Sequence, residues 1–134
     1  MKKFLLMLVF FVGSLTATQA QSIQWFKATS FSYRYINDYG YWTNWSKWDK
    51  CNINIKFELD NDFIVIYSSK TQVYKVIQLV DSPYDDSGTS IRFSVVDGEG
   101  DYGYIRLRVE NNQNSQIYVD FANISWCYNV VRTK

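Results

Sequence analysis

Apolar and polar residues alternate through most of the chain beyond its first twenty positions. Cys51, Ile53, Ile55, Phe57 and Leu59 are separated by Asn52, Asn54, Lys56 and Glu58. Successive side chains of a strand point to opposite faces, so this period of two sets one face on a core and the other in water. Asp60-Asn61-Asp62 predicts a turn, because Asn and Asp tolerate left-handed backbone and bond their own main chain. Phe63 to Tyr67 is apolar on both faces and returns as the partner strand. Ser68-Ser69-Lys70 turns again, Thr71 to Val80 runs back, and Asp81 to Gly88 is the longest polar connection.

Ile91, Phe93 and Val95 then alternate with Arg92 and Ser94, and Gly98 and Gly100 mark a hairpin loop. Ile105, Leu107 and Val109 alternate with Tyr104, Arg106, Arg108 and Glu110. After the Asn111–Asn114 turn, Ile117, Val119 and Phe121 form the inward set. Beyond Ala122-Asn123 the parity flips to Ile124, Trp126, Tyr128 and Val130, a phase slip expected of a β-bulge or bend. Upstream, Phe31, Tyr33 and Tyr35 alternate with Ser32 and Arg34. Helical period is absent from the whole stretch. The pattern predicts an all-β fold, an antiparallel meander of about eight strands. It closes as a small up-and-down β-barrel, lipocalin-like in outline, or folds as a β-sandwich; closure has the advantage of removing exposed edges.

The first twenty residues follow a different rule. Met1-Lys2-Lys3 precedes an apolar run, Phe4 to Val12, and a small-residue stretch that ends at Ala20. A charged end, a short apolar core and a small-x-small exit make a secretory signal peptide, too short to span a bilayer. Residues 1–20 are therefore read as leader and 21–134 as a single all-β domain, exported to the periplasm or the extracellular space. No cysteine sits at the cleavage site to carry a lipid anchor. Removing the leader takes the 14 basic side chains to 12 against 13 acidic ones. Nucleic-acid partners call for a basic excess, so they are not expected, and neither is membrane anchoring.

Candidate chemistry is sparse. There is no histidine in the chain. That excludes Ser-His-Asp and Cys-His nucleophile systems and removes the usual ligands of a metal site. No cofactor and no enzymatic activity are expected. A hydrolase using paired carboxylates is the weakest reading, since most Asp residues fall in turns. Asp97-Gly98-Glu99-Gly100-Asp101 spaces carboxylates as calcium loops do, but the position that needs a bidentate Glu holds Arg108.

Aromatic residues are the remaining signal. Trp42, Trp45 and Trp48 recur every third position, next to Tyr39 and Tyr41 and among the polar spacers Thr43, Asn44, Ser46 and Lys47. These five aromatics are the candidate ligand-binding residues, as a platform for sugar rings or a protein partner; core packing is the alternative use. The stretch is superficially similar to the tryptophan ladder of thrombospondin type 1 repeats. Those modules carry several disulfides and an arginine ladder, whereas this chain has two cysteines and no arginine nearby.

Cys51 and Cys127 are an even pair, and an exported compartment makes a disulfide the default. Parity opposes it: Cys51 lies on the apolar face of its strand and Cys127 on the polar face of its own.

Two stretches resemble small exported β proteins of gut Bacteroidetes and their phages. They are Trp45-Ser46-Lys47-Trp48 leading into Ile53-Asn54-Ile55, and Gln116 through Val130. The resemblance covers most of the exported chain and implies a Gram-negative host; it carries over no functional residue. The expected role is a soluble, exported, non-catalytic binding module for a glycan, a small apolar ligand or a protein. The rival is a phage- or mobile-element-encoded structural or inhibitory interaction protein.

Overall fold

The computed structural model describes residues 23–81, 84–85, 88–110 and 114–133. The leader 1–20 lies outside the described residues. Among the described residues nine strands form, in chain order: β1 Ile23–Tyr35, β2 Asp49–Glu58, β3 Phe63–Tyr67, β4 Gln72–Asp81, β5 Tyr84–Asp85, β6 Gly88–Val96, β7 Tyr102–Glu110, β8 Ser115–Asp120 and β9 Ile124–Arg132. Every pairing is antiparallel, and β1 lies between β2 and β9. The order β4-β3-β2-β1-β9-β8-β7-β6 is closed by pairing of β4 with β6. The result is a closed eight-stranded barrel, and the sandwich alternative falls away. The two-residue β5 pairs with β6 alone.

The alternating positions fill the barrel. Ile55, Phe57, Phe93, Val95, Ile105, Leu107, Ile117 and Val119 are fully buried. Phe57 meets Phe26 (ring centroids 5.4 Å apart) and Phe93 (6.2 Å) edge to face. Ile53, Phe31, Phe121 and Trp126 are half-buried against this core and lie toward one end. At the turn after β2, Asp62 takes left-handed backbone (φ 63°), as its residue type permits.

Two details differ from the pattern. The parity change at Ala122-Asn123 is a hairpin turn between β8 and β9, not a bulge: Phe121 N–H donates to the Ile124 carbonyl (2.9 Å). Ile124 is consequently exposed. The real bulge of this kind lies in β1, where the register shifts between Ala28 and Ser30. It moves the inward set from Gln24, Phe26 and Ala28 to Phe31 and Tyr33. That slip hides the first half of β1 from a search for strict alternation.

Candidate functional site

The strand directions put four connections at one end of the barrel: 36–48, 68–71, 97–101 and 121–123. The first contains all five candidate aromatics. It does not cross the barrel mouth. Instead it folds back as a strap beside the upper part of β1, where β2 has already diverged. Thr43 N–H donates to the Tyr35 carbonyl and Ser46 N–H to the Tyr33 carbonyl, both 2.8 Å. The strap thus satisfies main-chain groups that would otherwise form an open edge. The Ser32 hydroxyl donates to the Ser46 carbonyl (2.7 Å), and Tyr33 N–H to Ser46 Oγ (2.9 Å).

Trp42 and Trp45 are brought together, but not as a bare platform. The Arg34 guanidinium lies between them, 4.7 Å from the Trp42 ring centroid and 4.8 Å from that of Trp45. Trp45 also meets Tyr118 edge to face (6.3 Å), and Arg106 lies 4.0 Å over the Tyr118 ring. An arginine layer is therefore present after all, supplied from β1 and β7 and not from the strap's own sequence. Tyr39 and Tyr41 stand at the exposed tip, their N–H groups donating to Asn37 Oδ1. Trp48 is half-exposed and joins no ring contact among the described residues.

Beneath the strap, Ser32, Cys127 and Tyr118 form one cross-strand row on the outer wall. Cys127 is 2% exposed although it faces outward. Burial pushes its thiol up to about 12, with the Tyr118 hydroxyl and Arg106 pulling the other way. Burial likewise pushes the Tyr118 hydroxyl up to about 12. Cys51 packs against the core instead, its thiol also raised by burial, and donates weakly to the Ala28 carbonyl (3.6 Å). Both thiols are free, and the wall of the barrel has one on each side.

The mouth itself is a second site, which the spacing of the tryptophans does not reveal. A cavity of about 450 Å³ opens there, lined by Phe31, Tyr33, Ile53, Trp126 and Tyr128, with Ser68, Ser69 and Gln72 at its rim. A more polar depression of about 670 Å³ adjoins it across Trp126, toward Lys70, Asp97 and Glu99. Trp126 stacks on Phe121 (6.3 Å, 19°), and Phe121 in turn contacts Tyr74 (6.1 Å).

A short polar network crosses the floor of the mouth. The Tyr74 hydroxyl donates to Gln72 Oε1 (2.6 Å), and Gln72 Nε2 donates to Ser68 Oγ (3.0 Å) and to the Tyr128 hydroxyl (3.4 Å). Burial raises both tyrosines, Tyr74 well above the phenol range. Trp126 Nε1 is buried without a hydrogen-bond acceptor among the described residues. No group of three or more metal-ligating side chains occurs among the described residues. The chain matches no family model, no curated protein and no solved structure.

Proposed function

We propose that this protein is a non-catalytic binding domain whose ligand site is the open mouth of the barrel. The ligand class that suits it is a small, largely apolar, ring-bearing molecule with one or two hydrogen-bonding groups. The supporting observation is the 450 Å³ cavity walled by four aromatic rings and Ile53, with side-chain polar groups from Gln72, two serines, the tyrosine hydroxyls and the Trp126 indole N–H. Binding sites in small barrels sit at the mouth, and volumes of roughly 300–1,000 Å³ with few convergent polar groups are typical of them. Action outside the cytoplasm belongs to the same proposal and rests on the leader; the exported product should begin at Gln21 by mass spectrometry.

Titration with 1-anilinonaphthalene-8-sulfonate and a panel of aromatic glycosides, read by tryptophan fluorescence, tests the site. Saturable binding should weaken on the order of tenfold in Trp126→Ala, the cost of one lost aromatic wall. It should weaken similarly in Ser69→Trp, which fills the rim without removing core. Binding unaffected by both substitutions would place the ligand elsewhere, and no saturable binding at all would dispose of the proposal.

A further inference from the structure

Three hollows of the mouth meet at Trp126. Its ring lines the 450 Å³ cavity, the 670 Å³ depression toward Lys70, and a third hollow of about 420 Å³ toward Asp101 and Asn123. Tyr33 is directly opposed to Trp126 in the β1–β9 register, and Phe31 to Tyr128 beside them. Elsewhere on the barrel, rings are already served by the protein's own cations. Arg34 lies against Trp42 and Trp45, Arg106 over Tyr118, and Lys56 against Trp25 and Tyr67. In the mouth they are not: among the described residues no lysine or arginine lies over Phe31, Tyr33, Trp126 or Tyr128. An aromatic face is electronegative and attracts a cation, that of Trp most strongly.

Charge at the rim has the matching sign. The described side chains lining the three hollows include three carboxylates, Asp97, Glu99 and Asp101, against one ammonium, Lys70. Among the described residues no lysine or arginine forms an ion pair with any of these carboxylates. Asp97 borders two of the hollows. Its Oδ1 accepts the N–H groups of Glu99 and Asp101, both at 2.9 Å, which holds the carboxylate in place at the rim. Its charge is felt at the floor as well: after burial and Tyr128, Asp97 is among the influences that raise the Tyr74 hydroxyl. Like-signed charges along an apolar cleft focus their field into it.

We propose that the mouth selects an organic cation, a ligand whose apolar ring enters the aromatic cavity and whose substituted ammonium lies between Trp126 and the Asp97 carboxylate. The inference rests on the mouth being the ligand site, and adds the sign of the ligand's charge. A neutral sugar ring meets the same aromatic walls but gains little from the carboxylates. A sulfonate or carboxylate is repelled by them and has Lys70 alone to receive it.

The test uses the whole exported domain and three probes that share one benzyl group: benzyltrimethylammonium, benzyl alcohol and phenylmethanesulfonate. Each is titrated at low salt and followed by tryptophan fluorescence. The cation should bind on the order of tenfold more tightly than the alcohol, and the sulfonate most weakly. Asp97→Asn keeps an oxygen for the two N–H groups and removes the charge; it should weaken the cation severalfold and leave the alcohol unchanged. Glu99→Gln/Asp101→Asn, at exposed side chains, should act in the same direction by less. Asp60→Asn removes the same charge at the opposite end of the barrel and should change nothing. Ser69→Trp should block all three probes. Three probes bound equally, and all blocked by Ser69→Trp, would overturn the cation preference while the mouth stands as a site. No saturable binding, or binding indifferent to Ser69→Trp, would overturn both. Equal losses in Asp60→Asn and Asp97→Asn would reduce the effect to net charge, and tightest binding of the sulfonate would reverse it; either result overturns the proposal.

Discussion

Trp45 stands where strap and barrel meet, and its removal separates two uses of the strap. The ring is 39% exposed, so about three fifths of its surface, roughly 150 Å², is covered. At about 25 cal/mol per Å² that burial contributes at most about 3–4 kcal/mol, an upper figure because the unfolded chain buries some of it too. Releasing the side chain returns part of this as entropy. The Arg34 and Tyr118 contacts are lost together with the ring. Trp45→Ala should therefore cost about 2–3 kcal/mol, or about 10 °C in thermal midpoint for a domain of this size. It should also uncover Cys127, which lies in the row between Ser32 and Tyr118 that the strap spans. In a Cys51→Ser background, Cys127 of the parent should resist a disulfide reagent under native conditions, being 2% exposed with a thiol pushed up to about 12. The Trp45→Ala protein should label at a measurable rate. Tyr41→Ala, at a ring that is 71% exposed, should change neither property. An unchanged midpoint with a still-protected thiol would refute the assignment of Trp45 as a clamp and restore a purely ligand-facing role.

Two further outcomes follow from the core and the buried hydroxyls. Phe57→Ala, at a fully buried ring flanked by Phe26 and Phe93, should cost about 3–5 kcal/mol in urea denaturation, and a loss under about 1 kcal/mol would contradict that packing. Stability should also fall in alkali: Cys127, Tyr74, Tyr118 and Tyr128 all have raised folded-state values, so the contribution of their protons is intact below the unfolded values near 9 for the thiol and 10 for the phenols, and is lost as pH rises toward 12. The initial slope from Cys127 is about 1.4 kcal/mol per pH unit at most, with a smaller share from the partly solvated Tyr118. Midpoints measured from about pH 8 to about pH 11 check this, and Cys127→Ser should shrink the loss that begins near 9, leaving the share of Cys51, whose thiol is also raised by burial; a flat profile would contradict it.

The strands were legible because one face of each is wetted. Between Cys51 and Leu59, or between Tyr104 and Glu110, solvent and core take alternate residues, and the period of two follows directly. Barrel closure was less legible, since pairing of β4 with β6 is a long-range choice that no local pattern encodes. The β1 bulge at Thr29 and the turn at Ala122-Asn123 both appear in sequence as a change of parity. A slip that stays in one strand and a slip that reverses the chain leave the same trace. The aromatic strap was legible as a cluster but not as a surface. Its meaning depends on Arg34, Tyr118 and Arg106, which reach it from three different strands.

The mouth shows the same limit from the other side. Phe31, Tyr33, Ile53 and Trp126 look like ordinary core positions in sequence, because each sits on the inward face of an alternating strand. They differ from Phe26, Phe57 and Phe93 only in height along the barrel: the register sets the first group level with the 68–71 and 121–123 turns and the second near mid-barrel. Around mid-barrel, rings from neighbouring strands meet and fill the interior. At the mouth, β2 has parted from β1, the strap has gone outside, and among the described residues no connection folds over the opening. Trp126 is thus left half-buried, with a stacked partner, Phe121, on one side and a cavity beside it. A single inward face then fills the barrel below and lines an open cavity above. The diversion of residues 36–48 to the outer wall is what leaves the upper part unfilled.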